Sequence, residues 1–224
     1  MKILAVDTST EYCSLALWLE GSVLSKEVLA GQKHTELLLP MLQEMLAESE
    51  MALTQLDGFA FGAGPGSFTG LRIACGIVQG LAFATDLPVI GISTLEALAQ
   101  RIGASHVMTA LDARMGEIYY AAYKQTVEGW SIVQAPILCF PEQIPQVPDE
   151  GCWVGCGSGF DLHKETLSQL YSNCLSRIEL GCYPHAQEMA QLAMPKLLKG
   201  LGVAAEDAVP VYIRNKVALK ESER

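Results

Sequence analysis

The sequence predicts an α/β protein of two related lobes, and three observations carry that reading. Half of its 224 residues are hydrophobic and 18% are charged, below the roughly 25% of an average domain. That balance builds a core and excludes disorder. Strand-like runs come in threes and then alternate with helical ones. A short apolar run closing on aspartate occurs twice, as Leu4-Ala5-Val6-Asp7 and as Thr109-Ala110-Leu111-Asp112. Each is followed by a turn and a second strand of alternating small and large residues. This weak internal duplication divides the chain into lobes of residues 1–104 and 105–224. A chain this long buries about 70% of its unfolded surface, enough for two small lobes or one large core.

In the first lobe, residues 3–6 are an apolar run ending at Asp7, and Asp7-Thr8-Ser9-Thr10 is a polar turn. Residues 13–19 and 23–29 read as strands around the hairpin signal Glu20-Gly21-Ser22. Residues 34–48 read as a helix, because Leu38, Met41, Leu42, Met45 and Leu46 recur at helical spacing. Thr35 or a neighbour caps it, and Pro40 either sits in the first turn or forfeits one backbone bond. A strand at 56–61, a glycine-rich loop at 62–70 and a helix at 71–84 follow. An apolar run at 87–92 leads into a further helix at 94–101. The second lobe restarts the pattern with strands at 107–111, 118–123 and 130–137. After a proline-rich loop at 141–148, residues 153–156 form a strand running into Gly157-Ser158-Gly159. Helices follow at 162–171 and 186–199, the latter stopped by Gly200.

Charge and cysteine usage bound the function. Fifteen basic and 25 acidic side chains give a net charge of −10. The first hundred residues hold four basic and eleven acidic groups, a balance of −7. Neutralising phosphates is what drives nucleic-acid affinity, so tight direct binding of nucleic acid is disfavoured. The tail at 214–224 is locally basic, four against two. The seven cysteines include no CxxC pair. They read as reduced thiols packed like small hydrophobes in a cytoplasmic protein. The longest charge-free run, 58–71, has 14 residues with five glycines and a proline, short of the roughly 17–25 a membrane span needs. No signal peptide is expected from residues 1–7.

The candidate chemistry is sparse. Asp7 at a strand end, with Thr8 and Ser9, suits a metal or phosphate, or else a turn-capping Asx motif. Glycines in the 62–70 loop let a backbone approach a ligand, and the helix after it points N–H groups at the loop. That loop has no Gly-Lys-Ser/Thr, and Ser67 stands where a dinucleotide fingerprint wants glycine. The alternative is a tight strand-to-helix turn. Gly76 and Gly80, four apart in the next helix, favour close packing against another element. His34, His106, His163 and His185 are scattered outside any catalytic signature, and His185 is expected to cap the helix at Ala186. The stripe at 38–46 is wider than a helix covering a small lobe requires. Intramolecular burial explains its periodicity. If part of it is an interface, Met41 and Met45 are the apolar edge unneeded for folding.

Five segments together resemble the TsaB family, the non-catalytic paralogues in the bacterial tRNA threonylcarbamoyladenosine system. They are Ile3-Leu4-Ala5-Val6-Asp7-Thr8-Ser9-Thr10, Gly64-Pro65-Gly66-Ser67-Phe68-Thr69-Gly70-Leu71-Arg72, residues 87–97, Asp112-Ala113-Arg114-Met115-Gly116-Glu117-Ile118-Tyr119, and Pro210-Val211-Tyr212-Ile213-Arg214. The match is loose over 125–209. The resemblance implies the actin/Hsp70/sugar-kinase-like (ASKHA) fold, with a βββαβαβα core in each lobe. The family's catalytic paralogue, TsaD, carries a His-x-x-x-His pair whose two positions fall here at Thr94 and Leu98. Two histidines four apart on a helix grip one metal ion; threonine is a poor ligand and leucine none, so no metal is expected.

The resemblance further implies an accessory subunit with no catalytic residues and no cofactor. Asp7, Gly64, Gly66, Ser67 and Thr69 would be a vestigial binding loop. TsaD would dock on helices 34–48 and 69–84, with Leu38, Met41, Met45, Gly76 and Gly80 as candidate contacts. The ATPase TsaE would join, and a homodimer would form in the partner's absence. Two rival readings stay open. A phosphoryl-transfer enzyme of the same superfold would use Asp7, the 62–70 loop and Asp112. A glycoprotein peptidase would need metal ligands at Thr94 and Leu98.

Overall fold

A computed structural model describes residues 1–148 and 151–214. The basic tail lies outside them from residue 215 onward. The first lobe runs β1 (Lys2–Asp7), β2 (Tyr12–Leu19), β3 (Ser22–Leu29), α1 (His34–Glu48), β4 (Gly58–Gly64), α2 (Phe68–Thr85), β5 (Val89–Ser93) and α3 (Thr94–Ile102). The second runs β6 (His106–Arg114), β7 (Glu117–Thr126), β8 (Gly129–Cys139), β9 (Trp153–Cys156), α4 (Ser158–Leu162), α5 (Lys164–Leu170), β10 (Leu175–Glu179) and α6 (Ala186–Leu198). The sheets have the orders β3-β2-β1-β4-β5 and β8-β7-β6-β9-β10. In each, the three leading strands are antiparallel and the last two run parallel to the first. The duplicated sequence therefore marks a duplicated sheet, with β1 and β6 at the two centres. This is the actin/Hsp70/sugar-kinase-like arrangement.

Strand alternation sorts the first sheet into two faces. Leu4, Val6, Leu15, Leu17, Phe59 and Phe61 point at α1 and α2. Ile3, Ala5, Ala16, Ala60, Ile90 and Ile92 point the other way, onto α6. Ala5 pairs with Ala16 on one side and with Ala60 on the other, so a patch of methyl groups lets α6 lie close. The last helix of the second lobe thus covers the first sheet, while α3 packs on β6, β7 and β9 of the second. Leu95, Leu98 and Ala99 of α3 meet Val107, Ala121, Tyr123 and Cys156 there. The lobes are joined by this exchange of helices, which fills the space between them.

Several expectations need correction. The stripe of α1 is core: Leu38 and Met45 are buried with Leu42, and Met41 and Leu46 are half-buried against the same cluster. Met45 lies two turns along from Leu38 on the sheet-facing line, so it is not an interface edge. Neither Thr35 nor a neighbour caps α1; Lys33 holds that position with no side-chain bond, and Pro40 sits inside the helix. Helix α2 starts at Phe68, because the Ser67 hydroxyl accepts from Gly70 N at 3.2 Å. At 18 residues and mean hydropathy 1.3, α2 is long and apolar enough by length and composition to cross a membrane. Arg72 divides this helix between two charge-free runs, each too short to span. Its inner face, with Leu71, Ala74, Val78 and Ala82, is buried against the first lobe. The expected helix at 162–171 is two short helices meeting at His163. Strand β10 had no sequence signal: it is a half-exposed edge strand, Leu-Ser-Arg-Ile-Glu.

Candidate functional site

The Asp7 turn and the glycine loop meet, as the sequence suggested, but they meet each other. The Asp7 carboxylate accepts from Ser9 N at 3.3 Å and from Ser9 Oγ at 3.0 Å. That is the Asx turn. The Thr8 hydroxyl donates to Gly70 O at 2.6 Å, and Ser67 N donates to Ser9 O at 2.8 Å. A Cβ on Gly66 would stand 2.6 Å from Ser9 O, and one on Gly70 would stand 1.8 Å from Thr8 O. The glycines admit the chain's own 7–9 turn to the place where a phosphate would approach such a loop. Ser67 and Thr69 are exposed at the mouth, while Gly64 is buried.

Asp7 is fully buried. Burial raises its carboxyl from 3.8 to about 7, against the bonds from Ser9 and Thr8, which lower it. On β2, the register neighbour Ser14 accepts from Ala186 N at 3.0 Å, so α6 begins directly beside Asp7. Met189, one turn into α6, closes on Gly62 next to the carboxylate. In the second lobe Asp112 is engaged by its own turn: it accepts from Arg114 N at 2.8 Å and pairs with the Arg114 guanidinium at 3.2 Å. Asp7 has no exposed face, and Asp112 keeps 16% of its side chain exposed beside Arg114.

The remaining positions are placed plainly. The Thr94 hydroxyl donates to Pro65 O, and Leu98 is core. Among the described residues no group of three or more His, Cys, Asp or Glu is placed to hold a metal. His185 stands at the N-cap position of α6 without a side-chain cap bond. Its ring lies against Glu27 of β3 instead. Arg101 of α3 approaches Glu188 at 3.9 Å. These four groups form a charged seam between α3, α6 and β3 that pattern reading missed, since no local signal links residue 27 to 185. Burial first, and then the Arg101 charge, lower the His185 pKa, against the pull of Glu27.

The outer face of α2 is different. Phe68, Arg72, Gly76, Gly80 and Phe83 are exposed along one line of the helix. A Cβ on Gly76 or Gly80 would meet nothing within 4 Å. Among the described residues the glycines therefore serve no packing.

Comparison with known proteins fits this two-lobed class. The family model described as TsaD, tRNA N6-adenosine threonylcarbamoyltransferase, matches residues 25–220. The tRNA threonylcarbamoyladenosine biosynthesis protein TsaB of Escherichia coli is 42% identical over 99% of this chain and 98% of its own. That of Haemophilus influenzae is 38% identical over 99% and 97%. YeaZ from Pseudomonas aeruginosa, a solved structure, superposes with a TM-score of 0.88 at 40% identity, covering 94% of this chain and 99% of its own. The chain belongs to the TsaB family.

Proposed function

We propose that this chain is a non-catalytic scaffold in tRNA threonylcarbamoyladenosine biosynthesis. It binds the catalytic paralogue TsaD through the outer face of α2. With the ATPase TsaE it supports transfer of threonylcarbamoyl to the adenosine at position 37 of tRNAs that read codons starting with adenine. Its part is to order the lobes of TsaD and to create the surface that TsaE recognises. The pathway is the one named in its full-length relatives.

The observation that supports the scaffold reading is the Asp7 turn seated in the glycine loop and roofed by α6. A group that is fully buried and bonded to its own turn touches no substrate. The docking reading leans on α2, whose glycines open outward and admit a partner's backbone at close range. Leu38 and Met45 are buried and cannot be contacts, whereas half-buried Met41 and exposed Gly76 and Gly80 remain candidates. Without the partner, the same face brings two copies together as a homodimer. The chain works in the cytoplasm.

The test is co-purification with TsaD and TsaE, with and without ATP, and modification of tRNA by the reconstituted set. Omitting this chain should abolish product. Asp7→Asn should retain it. A folded Asp7→Asn protein that assembles normally yet yields no product would make Asp7 catalytic and end the scaffold reading.

A further inference from the structure

Arg72 is the one charged residue of α2 and the one arginine of the first hundred residues. It is exposed, yet it is held. Its Cζ stands 3.8 Å over the Phe68 ring, and its Nε donates to Tyr212 Oη at 3.0 Å. Phe68 and Tyr212 pack together with centroids 5.4 Å apart, although both remain more than two-fifths exposed, at 44% and 43%. The strand-like segment bearing Tyr212 is itself fastened. Val211 N donates to Ala63 O at 2.8 Å, and Arg214 pairs with Glu117 of β7 at 2.7 Å. Two aromatic rings and a hydroxyl thus fix an exposed guanidinium.

Among the described residues no carboxylate pairs with its Nη groups. Arg101, Arg114, Arg177 and Arg214 reach carboxylates at 3.9, 3.2, 2.6 and 2.7 Å. Among the described arginines Arg72 alone reaches none of the described carboxylates. An arginine immobilised in advance loses little side-chain freedom on binding and presents a planar fork that matches a carboxylate. Along the helix from it lie Gly76 and Gly80, and then Phe83, which is 82% exposed. From Phe68 to Phe83 the line is about 22 Å long, a glycine floor between two aromatic ends.

We propose that Arg72, clamped by Phe68 and Tyr212, receives a carboxylate from a helix of the protein partner that lies along α2 over Gly76 and Gly80. The proposal rests on the reading of α2 as the docking face. A carboxylate is favoured over a nucleic-acid phosphate because the first hundred residues, which include α2, carry −7. That balance disfavours a polyanion more than it disfavours a single acid on an otherwise apolar helix. The neutral glycine floor suits such a helix.

The affinity of the full-length chain for TsaD, measured by calorimetry at about 50 and about 300 mM salt, decides it. Arg72→Gln should weaken binding at least about tenfold and remove most of the salt dependence. Arg72→Lys, which keeps the charge but not the fork, should recover less than half of the logarithmic loss. Both variants should melt like the wild type, since the side chain is exposed. Gly76→Leu tests the face itself, filling the floor without touching this chain. If Gly76→Leu binds normally, the docking reading is wrong and the anchor falls with it. If Gly76→Leu fails to bind while Arg72→Gln binds with wild-type affinity, the face stands and the anchor alone is refuted. If Arg72→Gln binds TsaD normally but lowers tRNA affinity of the assembled complex, the ligand is a phosphate and the proposal is overturned.

Discussion

Asp7→Asn is the sharpest probe of the closed site, because its effect must depend on pH. The folded carboxyl titrates at about 7 against 3.8 for the free group. Between those values the unfolded chain is ionised while the folded chain keeps its proton. The stability this group supplies is therefore complete below about pH 3.8, declines as pH rises, and is lost above about pH 7. Roughly three pH units at about 1.36 kcal/mol each set a ceiling of ~4 kcal/mol. Asparagine escapes the penalty. Its Oδ1 can still accept from Ser9 N, and its amide can donate to Ser9 Oγ, since a hydroxyl serves as donor or acceptor. The variant should gain on the wild type by about 2 kcal/mol between pH about 5.5 and about 8.5. For a chain of this size that is roughly 4–8 °C in Tm. Thermal melts of both proteins followed by circular dichroism at the two pH values give the comparison. Parallel pH curves, or a wild type that gains on the variant toward alkaline pH, would refute the burial argument.

Met45→Glu should fail to fold, because it places a carboxylate in a core position with no exposure at a cost of several kcal/mol; a native far-ultraviolet spectrum would contradict this. Gly80→Ala should raise the stability of the isolated chain by about 1 kcal/mol, read as a higher denaturant midpoint, since a Cβ there meets nothing. His185 has a lowered pKa, so the stability tied to its neutral form is present above about pH 6.5 and is lost as pH falls below it. His185→Gln should therefore lose less stability than the wild type between pH about 7 and about 5 in urea titrations. With a net charge of −10, the chain alone should bind tRNA more weakly than micromolar at physiological salt, and a tight filter-binding isotherm without TsaD would show the charge argument to be wrong.

Much of the fold was legible because it is local. The apolar runs ending at Asp7 and Asp112 are the central strands of the two sheets, and the helical spacing of Leu38 to Leu46 marks α1 at its observed bounds. Other features are set by distant chain. Periodicity tells which side of a helix is apolar, not how wide a sheet covers it, so Met45 looked free until β2 and β3 were seen beneath α1. The crossing of α6 to the first sheet has only an indirect trace, the run of alanines at 5, 16 and 60 that makes room for it. The clamp on Arg72 needs Tyr212, 140 residues away, and no spacing rule joins them.

The glycine loop shows the limit most clearly. A glycine at a strand-to-helix turn reports that some backbone or ligand comes closer than a Cβ allows. The report is the same whether the visitor is a phosphate or the chain itself. Here Thr8 O and Ser9 O occupy the approach to Gly70 and Gly66, so the sequence requirement persists while the opening for a ligand is closed. The opposite holds at Gly76 and Gly80, where none of the described residues comes within 4 Å of a Cβ. A glycine with no neighbour among the described residues, on a helix that it weakens by about 1 kcal/mol, fits the proposed docking of a partner. That asymmetry between two sets of glycines, on one helix and its leading loop, favours the outer face of α2 over the 62–70 loop as the proposed contact surface.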